Sequence, residues 1–102
     1  MAKNINITEL FSDDQPTIQI GDTQYAVDNS IEAAMRFEEL ANGGGTKELL
    51  AAIEGALGKE AYKEIGVTKF QLQNLKVLTI AILAATQNLT YEEAAARFQQ
   101  SS

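Results

Sequence analysis

This chain of 102 residues contains no cysteine and no histidine. The first absence excludes disulfides, thiolate zinc sites and a thiol nucleophile, and nothing points to an oxidising compartment. The second removes the commonest general base and the commonest metal ligand, so a Ser-His-Asp arrangement cannot be built. Positive charge is also scarce: eight Lys and Arg stand against fourteen Asp and Glu, a formal charge of −6. That leaves little for counterion release from a phosphate backbone and argues against nucleic acid as a partner. A membrane span is missing too, since the uncharged run "VLTIAILAAT" at 77–86 is about half the roughly 20 apolar residues a spanning helix needs. The start "MAKNINITEL" has no apolar leader, so the cytoplasm is the expected location.

What is present describes one globular domain. Hydrophobic residues make up 45 % of the chain and charged ones 22 %, which argues against wholesale disorder. Residues 1–16 carry Ile5, Ile7, Leu10 and Phe11 and break at "SDDQP", which reads as a loose arm or an edge strand. Residues 17–102 form the domain. Within it "TIQIGDTQYAV" places Gly21-Asp22 between two alternating runs, the signal of a tight hairpin with Ile18 opposite Tyr25. Ile18, Ile20, Tyr25 and Val27 then share one face, and that face needs a core.

Helical patterns follow. Asn29 with Glu32 predicts a capping box for a first helix whose inner stripe is Ala34, Phe37, Leu40 and Ala41. "NGGG" ends it, with Asn42 and Gly43 suited to a left-handed turn. Thr46 is expected to cap a second helix carrying Leu49, Leu50, Ile53 and Leu57, stopped by Gly58. "KEAYKEIG" is a short third helix. Thr68 with Gln71 predicts a second box before a long fourth helix, so Thr68→Ala should cost about 1 kcal/mol. Thr90 with Glu93 predicts a third, before a last helix with Tyr91, Ala94, Ala95 and Phe98. The fold class is α+β, mostly α: an N-terminal β-hairpin followed by a bundle of about five helices.

The fourth helix contains the uncharged run. Leu72, Leu75, Leu78 and Ile82 form one stripe on it, and Phe70, Val77, Ala81 and Ala84 another, so the helix is central. Ile80 and Leu83 continue the side that begins wet at Lys69 and Lys76. Either the hairpin and the last helix cover them, or they are offered to another chain.

Chemistry is hard to find. The carboxylate pairs Asp13-Asp14, Glu38-Glu39 and Glu92-Glu93 are adjacent in sequence, so their side chains diverge instead of sharing a site. No stretch has the spacing of a calcium loop. "NGGGTKE" departs from a phosphate-binding loop, because Thr46 precedes Lys47 and a helix precedes the glycines. Acyl carrier proteins bear their prosthetic group on the serine of an Asp-Ser-Leu stretch. Here Asn29 separates Asp28 from Ser30 and Ile31 replaces the leucine, so Ser30 reads as an ordinary helix-start residue. No cofactor, no metal and no enzymatic activity are expected.

The order "TIQIGDTQYAVD", "SIEAAMRFEEL", "LGKEAYKEIG" and "AILAATQNLTYEEAAARFQ" resembles the small tail assembly chaperones of long-tailed (siphovirus-type) bacteriophages, and covers most of residues 17–99. The resemblance implies a non-catalytic protein of the host cell cytoplasm that binds the tape measure protein and assists assembly of the tail tube protein around it. It supplies no fixed binding motif. From the residues themselves, Ile80, Leu83 and Phe98, with Met35, are the candidate partner-binding surface. The alternative is a small acidic adaptor or regulatory protein dimerising through its long apolar helix. A homo-oligomer is compatible with either reading, and neither calls for nucleic acid or a membrane.

Overall fold

A computed structural model of the chain describes residues 3–12, 14–43 and 45–101, the side chains of 99–101 excepted. The expected architecture is present: a two-stranded antiparallel hairpin followed by five helices. Strands β1 (Thr17–Ile20) and β2 (Thr23–Ala26) pair Ile18 with Tyr25 and Ile20 with Thr23. Gly21 has φ of +62° while Asp22 stays at negative φ, the combination a type II′ turn needs, with a glycine at its first central position. Ile18 and Val27 are buried and Tyr25 is half-buried, whereas Ile20, next to the turn, is exposed. The Asp28 N–H donates to the Ala56 carbonyl at 3.0 Å, which ties the exit of the hairpin to the second helix.

The helices are α1 (Ile31–Asn42), α2 (Thr46–Leu57), α3 (Lys59–Ile65), α4 (Leu72–Gln87) and α5 (Tyr91–Ser101). Their buried residues, led by Ile53 and Ile82 at 0 % exposure and Phe37 at 2 %, join Ile18, Val27 and Val67 in one core. Each such side chain removed from water contributes about 1.5–3 kcal/mol before entropy is counted. Gly58 separates α2 from α3 at φ +90° and ψ 157°, backbone that a residue with a Cβ scarcely enters. At the end of α4, Asn88 takes the left-handed conformation and the Leu89 N–H reaches back to the Ala84 carbonyl at 2.9 Å. This is a Schellman closure, formed with asparagine instead of glycine.

Several helix starts differ from expectation. Ser30, not Asn29, caps α1: its hydroxyl accepts the Ala33 N–H at 3.2 Å, while the Asp28 carboxylate accepts the Ser30 N–H at 3.1 Å. Thr46 is already the first residue of α2, and Gly45 stands at the cap. Asn42 belongs to α1 and Gly43, at its C-cap, is right-handed, so neither takes the expected left-handed conformation; Gly44 lies outside the described residues. Thr68 sits exposed in a 3-10 turn, Val67–Lys69, launched by left-handed Gly66, and α4 begins after extended Gln71 with no side-chain cap. The turn exists to bury Val67, at 2 % exposure. Tertiary packing there overrides the local capping pattern.

The Thr90–Glu93 box forms in full. The Thr90 N–H donates to the Glu93 carboxylate at 3.0 Å and the Glu93 N–H to the Thr90 hydroxyl at 3.1 Å. The Thr90 N–H and then its hydroxyl hold the Glu93 carboxyl below its ordinary value of 4.5; Arg97 adds to this and slight desolvation opposes it.

The N-terminal arm is no edge strand. Its described residues form no strand and one 3-10 turn, Thr8–Leu10, and those from 3 to 15 are all exposed; Asp13, in the expected "SDDQP" break, lies outside the described residues. The radius of gyration of 15.6 Å exceeds the about 13 Å of a compact chain of this size. With the longest extent at 61 Å, the arm stands away from the body.

Two predictions follow from the caps. Thr90→Ala should destabilise by about 1 kcal/mol and Thr68→Ala by less than about 0.5 kcal/mol, read as urea midpoints. A group whose pKa is depressed in the folded state lends stability that is present above its unfolded pKa and lost as pH falls through the folded one. Glu93→Gln should therefore lose less stability than wild type between pH 4.5 and stronger acid, measured by thermal melts.

Candidate partner-binding surface

Helices α4 and α5, joined by the Asn88 turn, lie beside α1 and leave a groove of about 240 Å³ at the junction of the three helices. Phe37 and Ala41 of α1, Leu83 of α4 and Phe98 of α5 supply its apolar wall. The structure thus brings together two of the four candidates named from sequence, Leu83 and Phe98, each half-buried. Met35 is 65 % exposed and lies one helical turn before Glu38 on the same line of α1, outside the residues that line the groove. Ile80 requires correction: at 8 % exposure it is buried. The side of α4 that begins at exposed Lys76 is dry at Ile80 and half-buried at Leu83.

The polar rim is ordered. Arg97 donates from Nη1 to the Gln87 Oε1 at 2.7 Å, and the Gln87 amide nitrogen donates in turn to the Glu38 carboxylate. One side-chain relay therefore crosses α5, α4 and α1. Both ends are charged, and charge assistance strengthens such bonds. This relay was not legible in the sequence, because Glu38 and Gln87 are 49 positions apart. Inside the groove the Thr79 hydroxyl is fully buried and donates to the Leu75 carbonyl at 2.8 Å, so it presents no free polar group to a ligand.

Among the described residues no group of three or more His, Cys, Asp or Glu side chains converges as a metal site, and no buried side-chain polar atom lacks a partner. A second hollow of about 220 Å³ holds Asp28, Ser30, Glu32 and Arg36 near the start of α1. There the Ser30 hydroxyl is engaged as the helix cap, which accounts for the residue without a prosthetic group. No described helix is long and apolar enough to cross a membrane.

Compared with known proteins, the chain matches no family model, no curated protein and no solved structure.

The difference in burial between the candidates is measurable. Leu83 packs against the core, so Leu83→Glu should lower the unfolding free energy by about 2 kcal/mol or more. Met35→Glu, at an exposed site, should change it by less than about 0.5 kcal/mol. Chemical denaturation of both variants checks the contrast.

Proposed function

We propose that this protein is a non-catalytic tail assembly chaperone of a long-tailed bacteriophage, which holds a helical segment of the tape measure protein in the host cytoplasm while tube subunits assemble. The observation that carries the reading is the convergence of Leu83 and Phe98, from helices joined by a tight turn, in one groove, with exposed Met35 a turn away on α1. An amphipathic helix binds such a groove through apolar side chains spaced three and four residues apart. The groove's polar relay fixes the spacing of α1, α4 and α5 before a client arrives, and pre-ordering lowers the entropic cost of binding. The charge of −6 keeps a complex with an apolar client soluble. The order of hairpin and helices that resembles the chaperone family supports the same assignment, and the lack of histidine and cysteine accords with a protein that performs no chemistry.

The test is co-expression with the tape measure protein of the same phage. Wild type should raise the soluble fraction of the client and co-purify with it. Met35→Glu combined with Phe98→Ala should reduce the recovered complex at least about tenfold, the equivalent of 1.4 kcal/mol, while circular dichroism stays that of a folded helical protein. Undiminished client solubility without the protein, or binding unaffected by the paired substitution, would sink the assignment to this groove.

A further inference from the structure

On the opposite flank of α4 lies a surface that the α1–α4–α5 groove does not use. Two hollows, of about 260 and 420 Å³, share Ile18, Gln19 and Ala81 and so form one trough between β1 and α4. It runs from Phe70 to Tyr91, and β1 crosses it with Ile20 at the Phe70 end and Pro16 at the Tyr91 end. Ile20, Val77 and Tyr91, 38–46 % exposed, stand in it. None of its fifteen lining residues is charged, although 22 % of the chain is, which sets this surface apart from the rest.

The wall formed by β1 is an open strand edge. The Val27 N–H donates to the Pro16 carbonyl at 3.0 Å, so by alternation Pro16, Ile18 and Ile20 turn their main-chain groups toward β2. Thr17 and Gln19 turn theirs the other way, where an added strand can pair with them. Along α4 the stretch from Asn74 to Asn88 is about 21 Å long. Six or seven extended residues cover that length.

The chain carries a largely apolar segment that reaches this length once its 3-10 turn, Thr8–Leu10, is drawn out. Ile5–Phe11, "INITELF", lies in the arm that stands off the body, with Ile5 70 %, Leu10 81 % and Phe11 72 % exposed. Charges at the two ends select its direction. Lys69 and Lys76 are exposed at the Phe70 end, outnumbering Asp22 of the hairpin turn there, and Glu92 and Glu93 are exposed at the Tyr91 end. An arm lying parallel to β1 sets Lys3 by the glutamates and Glu9 and Asp14 toward the lysines. An arm folded back in its own molecule would leave Pro16 at the Tyr91 end and run antiparallel to β1, bringing like charges together at both ends. Parallel alignment therefore needs another molecule.

We propose that the trough between β1 and α4 receives residues 5–11 of a second copy of this chain, laid parallel to β1, in a reciprocal exchange of arms. The contact uses none of the residues assigned to a client.

Sedimentation equilibrium from about 1 µM to about 1 mM tests it. Wild type should be dimeric. Ile5→Asp with Ile7→Asp, altering the arm, and Val77→Asp, altering the trough, should each weaken the dimer at least about tenfold. All three sites are exposed, so the helical circular dichroism should be unchanged. Mixing the two variants should restore a heterodimer, because one intact arm then meets one intact trough. A nitroxide on Ile5→Cys in one copy should broaden amide signals near Asn88 of an isotope-labelled partner. A wild type that is monomeric throughout, a dimer broken by Val77→Asp but untouched by the arm substitutions, or broadening confined to the Phe70 end would each overturn the proposal.

Discussion

Leu75, Leu78 and Ile82 leave water along one face of α4, and the positions of the other elements answer to that burial. Three side chains of this kind contribute several kcal/mol between them, comparable with the net stability of a small domain. α1, α2 and α5 pack on the helix and the hairpin lies across it through Ile18. Thr79 can occupy the dry interior because its hydroxyl is taken up by the Leu75 carbonyl one turn earlier. With α4 at the centre, the molecule has two flanks left to differ: one closed by α1 and α5, the other roofed only by a narrow hairpin.

Those flanks hold apolar surface in different ways. Between α1, α4 and α5, Leu83 and Phe98 are half-buried and the Glu38–Gln87–Arg97 relay keeps the helices in register. Beside β1, Val77 and Ile20 lie open with no charged neighbour in the lining. A chain with fourteen acidic residues against eight basic ones tolerates such exposure, since mutual repulsion opposes nonspecific association. The same composition includes neither histidine nor cysteine.

The caps show where local reading succeeds and where it fails. Thr90 and Glu93 follow a two-residue turn that packing leaves free, and their reciprocal hydrogen bonds form as the pattern predicts. Thr68 and Gln71 have the same spacing, but Val67 is buried by a 3-10 turn that takes up Thr68, and Gln71 stands extended before α4. At Ser30 the outcome shifts by one residue because Asp28 captures the Ser30 N–H and starts the helix later. Capping contributes about 1 kcal/mol, which a single buried valine outweighs.

Periodicity and turn residues in the sequence determined the hairpin with its Ile18–Tyr25 register, the number of helices, their inner stripes at Phe37, Ile53 and Ile82, and the stop at Gly58. Each of these depends on residues a few positions apart, whose φ/ψ preferences and hydrophobic spacing act before the chain has collapsed. Only the tertiary structure decided that Ile80 is dry while Val77 and Leu72 are wet, that Leu83 meets Phe98, and that Glu38 is joined to Gln87 across 49 positions. A helix with apolar side chains on several faces does not specify which of them its neighbours will cover. That depends on where α1, α5 and β1 come to rest, a matter of shape and volume among residues distant in the chain.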